Sequence, residues 1–339
     1  MNAVAPSCSY DGCQVQIDGA CRLGRDPVDS CENYPTGADP IEELEAPDET
    51  DGQRAKPPVK IWSSDKMLIS DYSALARRRR LRTVALVGEE KVGKTTLLCS
   101  IYDQFCKGGL ANLTFAGSET LLGLAKLQQF GMLSSKRLSP TVPRTSRRDP
   151  LAFFHLAISR GRRDIVDLVI ADRSGETYAA ARTTTSLIET LEEFRLAERV
   201  CFLLDGGKLA SRDDRTAYTR NFRQMIHALM DNGALAHASG VEILSTKLDI
   251  TRNRDADDMA YINDYLSRVV SDFADKGLAI STHEICALPK ADRSIGIVGL
   301  DELIQRWTEP AQLPDLSPLA VGDAPRQIDR LLAKIAREV

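Results

Sequence analysis

The chain has 339 residues, 43% of them hydrophobic, which is enough for a full core in one large or two modest domains, and one large domain fits better. A net charge of −4 argues against the broad basic field of a nucleic-acid binder. No apolar run approaches the ~20 residues of a membrane span and no hydrophobic leader opens the chain, so the expectation is a soluble, cytoplasmic protein.

Cys8, Cys13, Cys21 and Cys31 fall at the start of the chain with spacing Cx4Cx7Cx9C. In a reducing compartment a metal is the favoured cross-link for such a set. Four thiolates suit tetrahedral Zn²⁺ or an iron–sulfur cluster, either of which lets residues 1–35 hold a shape with almost no apolar core. Neither half is a CxxC knuckle, and unliganded cysteines in a tail are the alternative. Cys99, Cys106, Cys201 and Cys286 read instead as small core residues.

Residues 36–60 carry prolines, glycines and seven acidic residues between Asp39 and Asp51, and are expected to be a disordered acidic linker. A helix is predicted over 65–80, ending in the run Arg77, Arg78, Arg79, Arg80. Such a run is usually a solvated face, which is the reading adopted.

Leu81–Thr96, LRTVALVGEEKVGKTT, places GxxxxGK[ST] between an apolar strand and a helical run. Backbone N–H groups across Gly88, Glu89, Glu90, Lys91, Val92 and Gly93 cradle phosphates in such a loop, and the following helix N-terminus adds a favourable dipole. Lys94 would reach the β- and γ-phosphates, Thr95 would hold Mg²⁺, and Thr96 completes the turn. The spacing predicts nucleoside triphosphate binding.

Onward from Thr83 the pattern alternates strands and helices, as in a doubly wound α/β domain with a mostly parallel six-stranded sheet. Strands are predicted at 83–88, 151–158, 164–171, 198–205, 240–246 and 279–286. Helices are predicted at 94–107, 118–134, 176–195, 215–232, 256–275, 298–308 and 325–338, the last after a Pro-rich linker that begins the segment 311–339. Ligand is expected at the carboxyl ends of the strands. At the end of the third strand, ADRSGE supplies Asp172 and Gly175 as DxxG, the carboxylate for Mg²⁺ through water and the glycine N–H for a γ-phosphate. At the end of the fifth, STKLD supplies Thr246, Lys247 and Asp249 as [NT]KxD. Asp249 can accept from guanine N1–H and the exocyclic amine, whereas adenine would leave a buried carboxylate unpaired. A helix N-cap is the plainer alternative for Asp249. Cys286, Ala287 and Leu288 end the sixth strand, where a backbone N–H would meet guanine O6. His155, His227, His237 and His283 are scattered and read as structural or surface groups, and Trp62 and Trp307 as packing anchors.

On these motifs, residues 81–308 resemble the Ras-like GTPases of the TRAFAC class, a P-loop NTPase fold, within a domain spanning 61–310. DPVDSCENY, FAGS at Phe115–Ser118, PRTS at Pro143–Ser146 and ADRSGE narrow the resemblance to bacterial double-GTPase-type proteins of conflict and signalling operons. The resemblance implies GTP and GDP as ligands, Mg²⁺ as cofactor, and a protein partner, such as a second GTPase, at the switch segments and the inserted helix 118–134.

It also locates switch I in residues 141–149, after that helix. There Thr145 would close on Mg²⁺ and Arg144 would stabilise transition-state charge in cis, with a surface arginine the equal alternative. Glu176 stands where Ras-like proteins carry a water-orienting glutamine, Glu90 and Lys91 replace small glycines, and Cys286 and Leu288 replace a serine and a lysine. Slow hydrolysis is therefore expected of the chain alone.

Overall fold

A computed structural model describes residues 23, 30–34, 64–131, 150–161 and 164–309, with Phe130 and Gly131 described in backbone only. The chain divides into two compact units, residues 1–59 and 60–339. In the first, Cys31 is buried and its carbonyl accepts from Tyr34 N at 2.9 Å.

The second unit is organised by β1 (Leu81–Val87), whose seven residues are all buried. A strand with both faces covered reads as a continuous apolar run, and LRTVALV is nearly that. It pairs in parallel with β4 (Ile165–Asp172) on one side and β5 (Arg199–Asp205) on the other. Parallel pairing continues through β6 (Gly240–Thr246) to β7 (Ile280–Glu284). On the opposite flank β3 (Ala152–Ser159) runs antiparallel to β4, and β2 (Thr114–Gly117) antiparallel to β3. The order is β2-β3-β4-β1-β5-β6-β7.

All six expected strands form, and the sheet has a seventh among the described residues. β2 is four residues long, with an irregular register opposite β3. Its sequence TFAG lacks the length and alternation that announce a strand, and pairing with β3 is what makes it one.

Helices cover both faces. Against one lie α2 (Lys94–Cys106), α3 (Leu121–Gly131) and α11 (Leu300–Thr308), sharing a core with Val84, Leu86, Leu156, Leu168 and Leu203. Against the other lie α8 (Arg215–Asp231) and α10 (Ala256–Ala274), packed on Ala85, Val87, Phe202 and Ile243. α1 (Ile69–Ala76) is shorter than expected because Met67 pairs with Phe153 as a bridge, leaving Leu68 extended with its N–H on Asp71 Oδ2 at 3.2 Å. The basic run after it is partly tied down: Arg79 pairs with Asp167 at 3.0 Å and Arg82 with Glu198 at 3.0 Å.

The helix expected over 176–195 is broken into α4 (Gly175–Ala181), α5 (Thr185–Ile188) and α6 (Glu193–Leu196). Thr183, Thr184 and Thr185 are β-branched and disfavour a continuous helix. The breaks let Glu193 turn inward, where it is fully buried. The inserted helix is present as α3, and the expected helix 325–338 lies outside the described residues. Cys106 is exposed rather than in the core. His155 is buried and structural: Nδ1 accepts from Glu119 N at 3.0 Å, so Nε2 carries the proton toward Asp167 at 2.9 Å.

Trp307 is buried on the sheet face that α11 covers, with Nε1 donating to the buried Glu242 Oε2 at 3.2 Å. Trp307→Phe is expected to cost about 1–3 kcal/mol by weakening satisfaction of that carboxylate. Trp307→Ala should cost about 3–5 kcal/mol through the added cavity. Urea unfolding of the two variants beside wild type checks both.

Candidate functional site

The carboxyl ends of β1, β4, β5 and β6 converge on one edge, and each ends in a residue or turn of the candidate site. After β1 the chain turns at Gly88, passes Lys91 at φ 61° and Gly93 at φ 109°, and enters α2. Gly93 is thus the left-handed N-cap of that helix, a conformation an L side chain resists. Lys94 is buried, and Nζ donates to Gly88 O at 2.8 Å and Glu89 O at 3.0 Å, folding the loop around its own ammonium group. Burial lowers the Lys94 pKa to about 8, opposed by the nearby Asp172, Glu90 and Glu89 carboxylates.

Asp172 is the last residue of β4 and is buried. Ser174 caps α4 by accepting from Glu176 N at 3.3 Å, and Gly175 is the first residue of that helix. A Cβ on Gly175 would run into the backbone of Glu89 and Glu90, so only glycine lets the DxxG turn lie directly against the phosphate loop. Arg173, inside the turn, donates from Nε to Glu193 Oε1 at 2.7 Å and from Nη2 to Glu193 Oε2 at 2.8 Å. Burial opposes its charge, but the bonded Glu193 carboxylate more than offsets this and raises the Arg173 pKa.

The third motif is built into the same frame. Thr246 Oγ1 contacts Val92 O at 2.9 Å and Leu204 O at 3.2 Å, tying the end of β6 to the phosphate loop and to β5. Lys247 sits at φ 59°, and its Nζ pairs with Asp205 Oδ2 at 2.6 Å. Asp205 caps α7 (Gly206–Ala210) through its other oxygen, which accepts from Gly207 N at 2.9 Å. Asp249, in α9 (Leu248–Thr251), is 3% exposed. Its Oδ2 accepts from Lys290 N and Ala291 N, both at 2.9 Å, and Oδ1 lies 3.7 Å from Cys286 Sγ. Burial first, then the Asp249 charge, pushes the Cys286 thiol up to about 11. Cys286 N donates to Val298 O at 3.1 Å, and Ser100 Oγ to Ala287 O at 2.7 Å, pinning this loop to its neighbours.

These elements enclose one cavity of about 520 Å³, lined by residues 90–97, Arg173, Gly175, Thr246, Lys247, Asp249, Ile250, residues 285–288 and Lys290. The volume falls in the range of small-molecule and cofactor sites. The phosphate loop, Gly175, the TKxD residues and Cys286, Ala287 and Leu288, all read from sequence, meet in it. Gly88, Glu89, Asp172 and Glu176 do not line it; the Glu89 carboxylate pairs with Arg182 at 3.3 Å and Lys208 at 2.8 Å. Arg144 and Thr145 lie outside the described residues, as do Cys8, Cys13 and Cys21. Among the described residues no group of three or more His, Cys, Asp or Glu is placed to hold a metal ion. Nor is any helix among them long and apolar enough to cross a membrane.

Sequence reading missed Arg173, Asp205 and the Lys290–Ala291 amides as parts of the site. Asp205 carried a signal, since it ends a buried strand at the sheet edge where ligand is expected. The two amides carried none, because backbone groups have no sequence signature.

A mostly parallel sheet with a phosphate loop after its first central strand, a DxxG turn and a TKxD strand end defines a P-loop GTPase. Residues 82–308 match the family model Double-GTPase 2, and the chain belongs to that family. No curated protein matches the chain. Among solved structures it is similar to the signal recognition particle receptor SRb-GTP/SRX complex of Chaetomium thermophilum, with 17% identity, TM-score 0.39, and 68% of this chain and 97% of that one covered. It is also similar to a protein titled nucleolar GTP-binding protein 1 from Plasmodium falciparum, with 12% identity, TM-score 0.34, and coverage of 66% and 83%. Both likenesses are distant, and membership rests on the family match.

The Lys94 pKa sets a pH dependence for nucleotide binding. Below about 8 the free protein already carries the ammonium, so affinity is flat. Above it the free protein loses the proton, whereas a phosphate seated on Lys94 would hold it in the complex, so binding would take one up and affinity would fall. GDP affinity is expected to drop roughly tenfold between about pH 7.5 and about pH 9. The slope should vanish in Lys94→Gln, as measured by fluorescent-nucleotide titration.

Proposed function

We propose that the chain is a Mg²⁺-dependent GTP switch that hydrolyses slowly by itself and regulates a partner protein. The observation that carries the guanine assignment is the Thr246 bond to Val92 O, which fixes the TKxD motif and the phosphate loop as walls of one cavity. In this reading loop amides from Glu89 to Lys94 bind phosphate oxygens, and Lys94 turns from the Gly88 and Glu89 carbonyls to the β- and γ-phosphates. Asp249 accepts from guanine, Lys247, steadied by Asp205, lays its stem along the base, and the Gly175 N–H meets the γ-phosphate.

The Thr95 hydroxyl and the Asp172 carboxylate, a hard oxygen pair at the phosphate end, suit Mg²⁺. Asp172 is close enough to Lys94 to influence its titration. The metal would supply charge neutralisation of the phosphates, with Thr145 as the switch I ligand. Glu176 stands where water must be oriented, and a carboxylate there and at Glu90 repels the γ-phosphate, which supports slow turnover. Switch segments 141–149 and 172–185, with the inserted helix, would form the partner surface. Leu121 and Leu122, 42% and 47% exposed at the start of that helix, support this. A bacterial conflict or signalling operon is the setting the resemblance implies, and the cytoplasm the compartment. The cysteine set of segment 1–35, as a zinc or iron–sulfur site, is a separate proposal that metal analysis of the purified full chain decides.

The test is binding of fluorescent GTP with unlabelled GTP or ATP as competitor, with phosphate release followed in parallel. Displacement by GTP and not by ATP is expected; equal displacement would sink the role of Asp249. Binding without any phosphate release would favour a non-hydrolysing scaffold. Asp249→Asn should lose roughly 10- to 100-fold in GTP affinity, since an amide cannot accept from both guanine donors. It should gain affinity for xanthosine triphosphate, whose C2 carbonyl accepts from that amide.

A further inference from the structure

Arg173 lines the nucleotide cavity beside Gly175, and Gly175 itself lies against the backbone of Glu89 and Glu90. This puts the arginine at the phosphate end, with Lys94 and Thr95, away from the base motif. Its side chain is 15% exposed and is gripped in the bidentate pair with Glu193, whose own side chain is 0% exposed. Tyr178, also buried, donates its hydroxyl to Glu193 Oε1 at 3.0 Å. The grip thus comes from α4 and α6, two of the segments that replace the single expected helix.

A guanidinium has five N–H donors in a rigid plane, and this pair uses two. Fixing Nε and Nη2 therefore fixes the whole group, while Nη1 and its two donors stay outside the pair. Complete burial of a carboxylate such as Glu193 contributes little net stability, because desolvation offsets the Coulomb gain. The arrangement is better understood as orientation of the arginine. Charge in the cavity gives that orientation a purpose. Glu90 lines the phosphate end, and Asp172, at the end of β4, is near enough to Lys94 to act on its titration, so carboxylate charge already stands close to where negative charge grows during phosphoryl transfer.

We propose that Arg173 is a catalytic residue supplied in cis, donating from Nη1 to the γ-phosphoryl oxygens in the transition state, with Glu193 and Tyr178 as its positioning residues. The proposal rests on the reading of this cavity as a GTP site. In the step, the water oxygen bonds to the γ-phosphorus as the bond from that phosphorus to the β–γ bridging oxygen breaks. The electron pair stays on the bridging oxygen of GDP, and the water proton passes to the phosphate, leaving GDP and inorganic phosphate. Arg173 neither gives nor takes a proton; its fixed charge offsets what accumulates on the transferring group.

The experiment loads the full-length protein with fluorescent GDP and Mg²⁺, titrates aluminium fluoride as a transition-state mimic, and measures single-turnover GTP hydrolysis alongside. Wild type is expected to form the fluoride complex. Arg173→Ala should lose it and hydrolyse at least roughly 100-fold more slowly, with GDP affinity within about threefold of wild type. Arg173→Lys, a point charge without the fork, should restore little. Glu193→Gln should weaken the fluoride complex in wild type and add nothing in Arg173→Ala, the non-additivity of a residue that acts through another. Where Arg173→Ala does not fold, Arg173→Gln, which keeps a hydrogen-bond donor for Glu193, carries the same test. An unchanged fluoride complex and rate in the Arg173 variants overturns the proposal. So does a wild type that binds GDP yet neither captures fluoride nor turns over. A wild type that binds no guanine nucleotide overturns the GTP-site reading itself, which separates the two failures.

Discussion

One hydroxyl holds the two halves of the site together. Thr246, at the end of β6, reaches across to Val92 O in the phosphate loop and to Leu204 O in β5. The residues of TKxD therefore inherit their position from the same loop that wraps phosphate. Lys247 and Asp249 have further ties of their own, to Asp205 and to the Lys290 and Ala291 amides.

Around this tie the structure replaces side-chain freedom by short internal bonds. Lys94 is folded onto the carbonyls of its own loop, Lys247 is held by Asp205, and Asp249 is held by two amides and a nearby thiol. Each of these groups is buried or half-buried, where an unpaired charge costs most, and each has an internal partner. The same logic separates the Glu89 carboxylate, which faces Arg182 and Lys208 behind the loop, from Glu90, which lines the cavity.

The DxxG turn is the least forgiving contact. Gly175 lies so near the backbone of Glu89 and Glu90 that no side chain fits, and Arg173 beside it is anchored through Glu193 to a separate short helix. The turn thus connects the cavity to α4, α5 and α6, the segments a γ-phosphate sensor would move.

The three motifs and the strands that precede them were legible along the chain. Those features are local: a buried parallel strand is a continuous apolar run, and a phosphate loop needs its glycines and lysine at set spacing. Trp307 as an anchor and the inserted helix were equally legible, each carried by an apolar pattern along a single segment. Packing in three dimensions was needed to make TFAG an edge strand, to break residues 176–195 twice, and to pair Arg173, at the cavity wall, with the buried Glu193. It alone placed the Lys290 and Ala291 amides on Asp249. These depend on pairings between residues far apart in the chain, or on backbone groups that every residue carries alike, and neither leaves a mark on a single stretch of sequence.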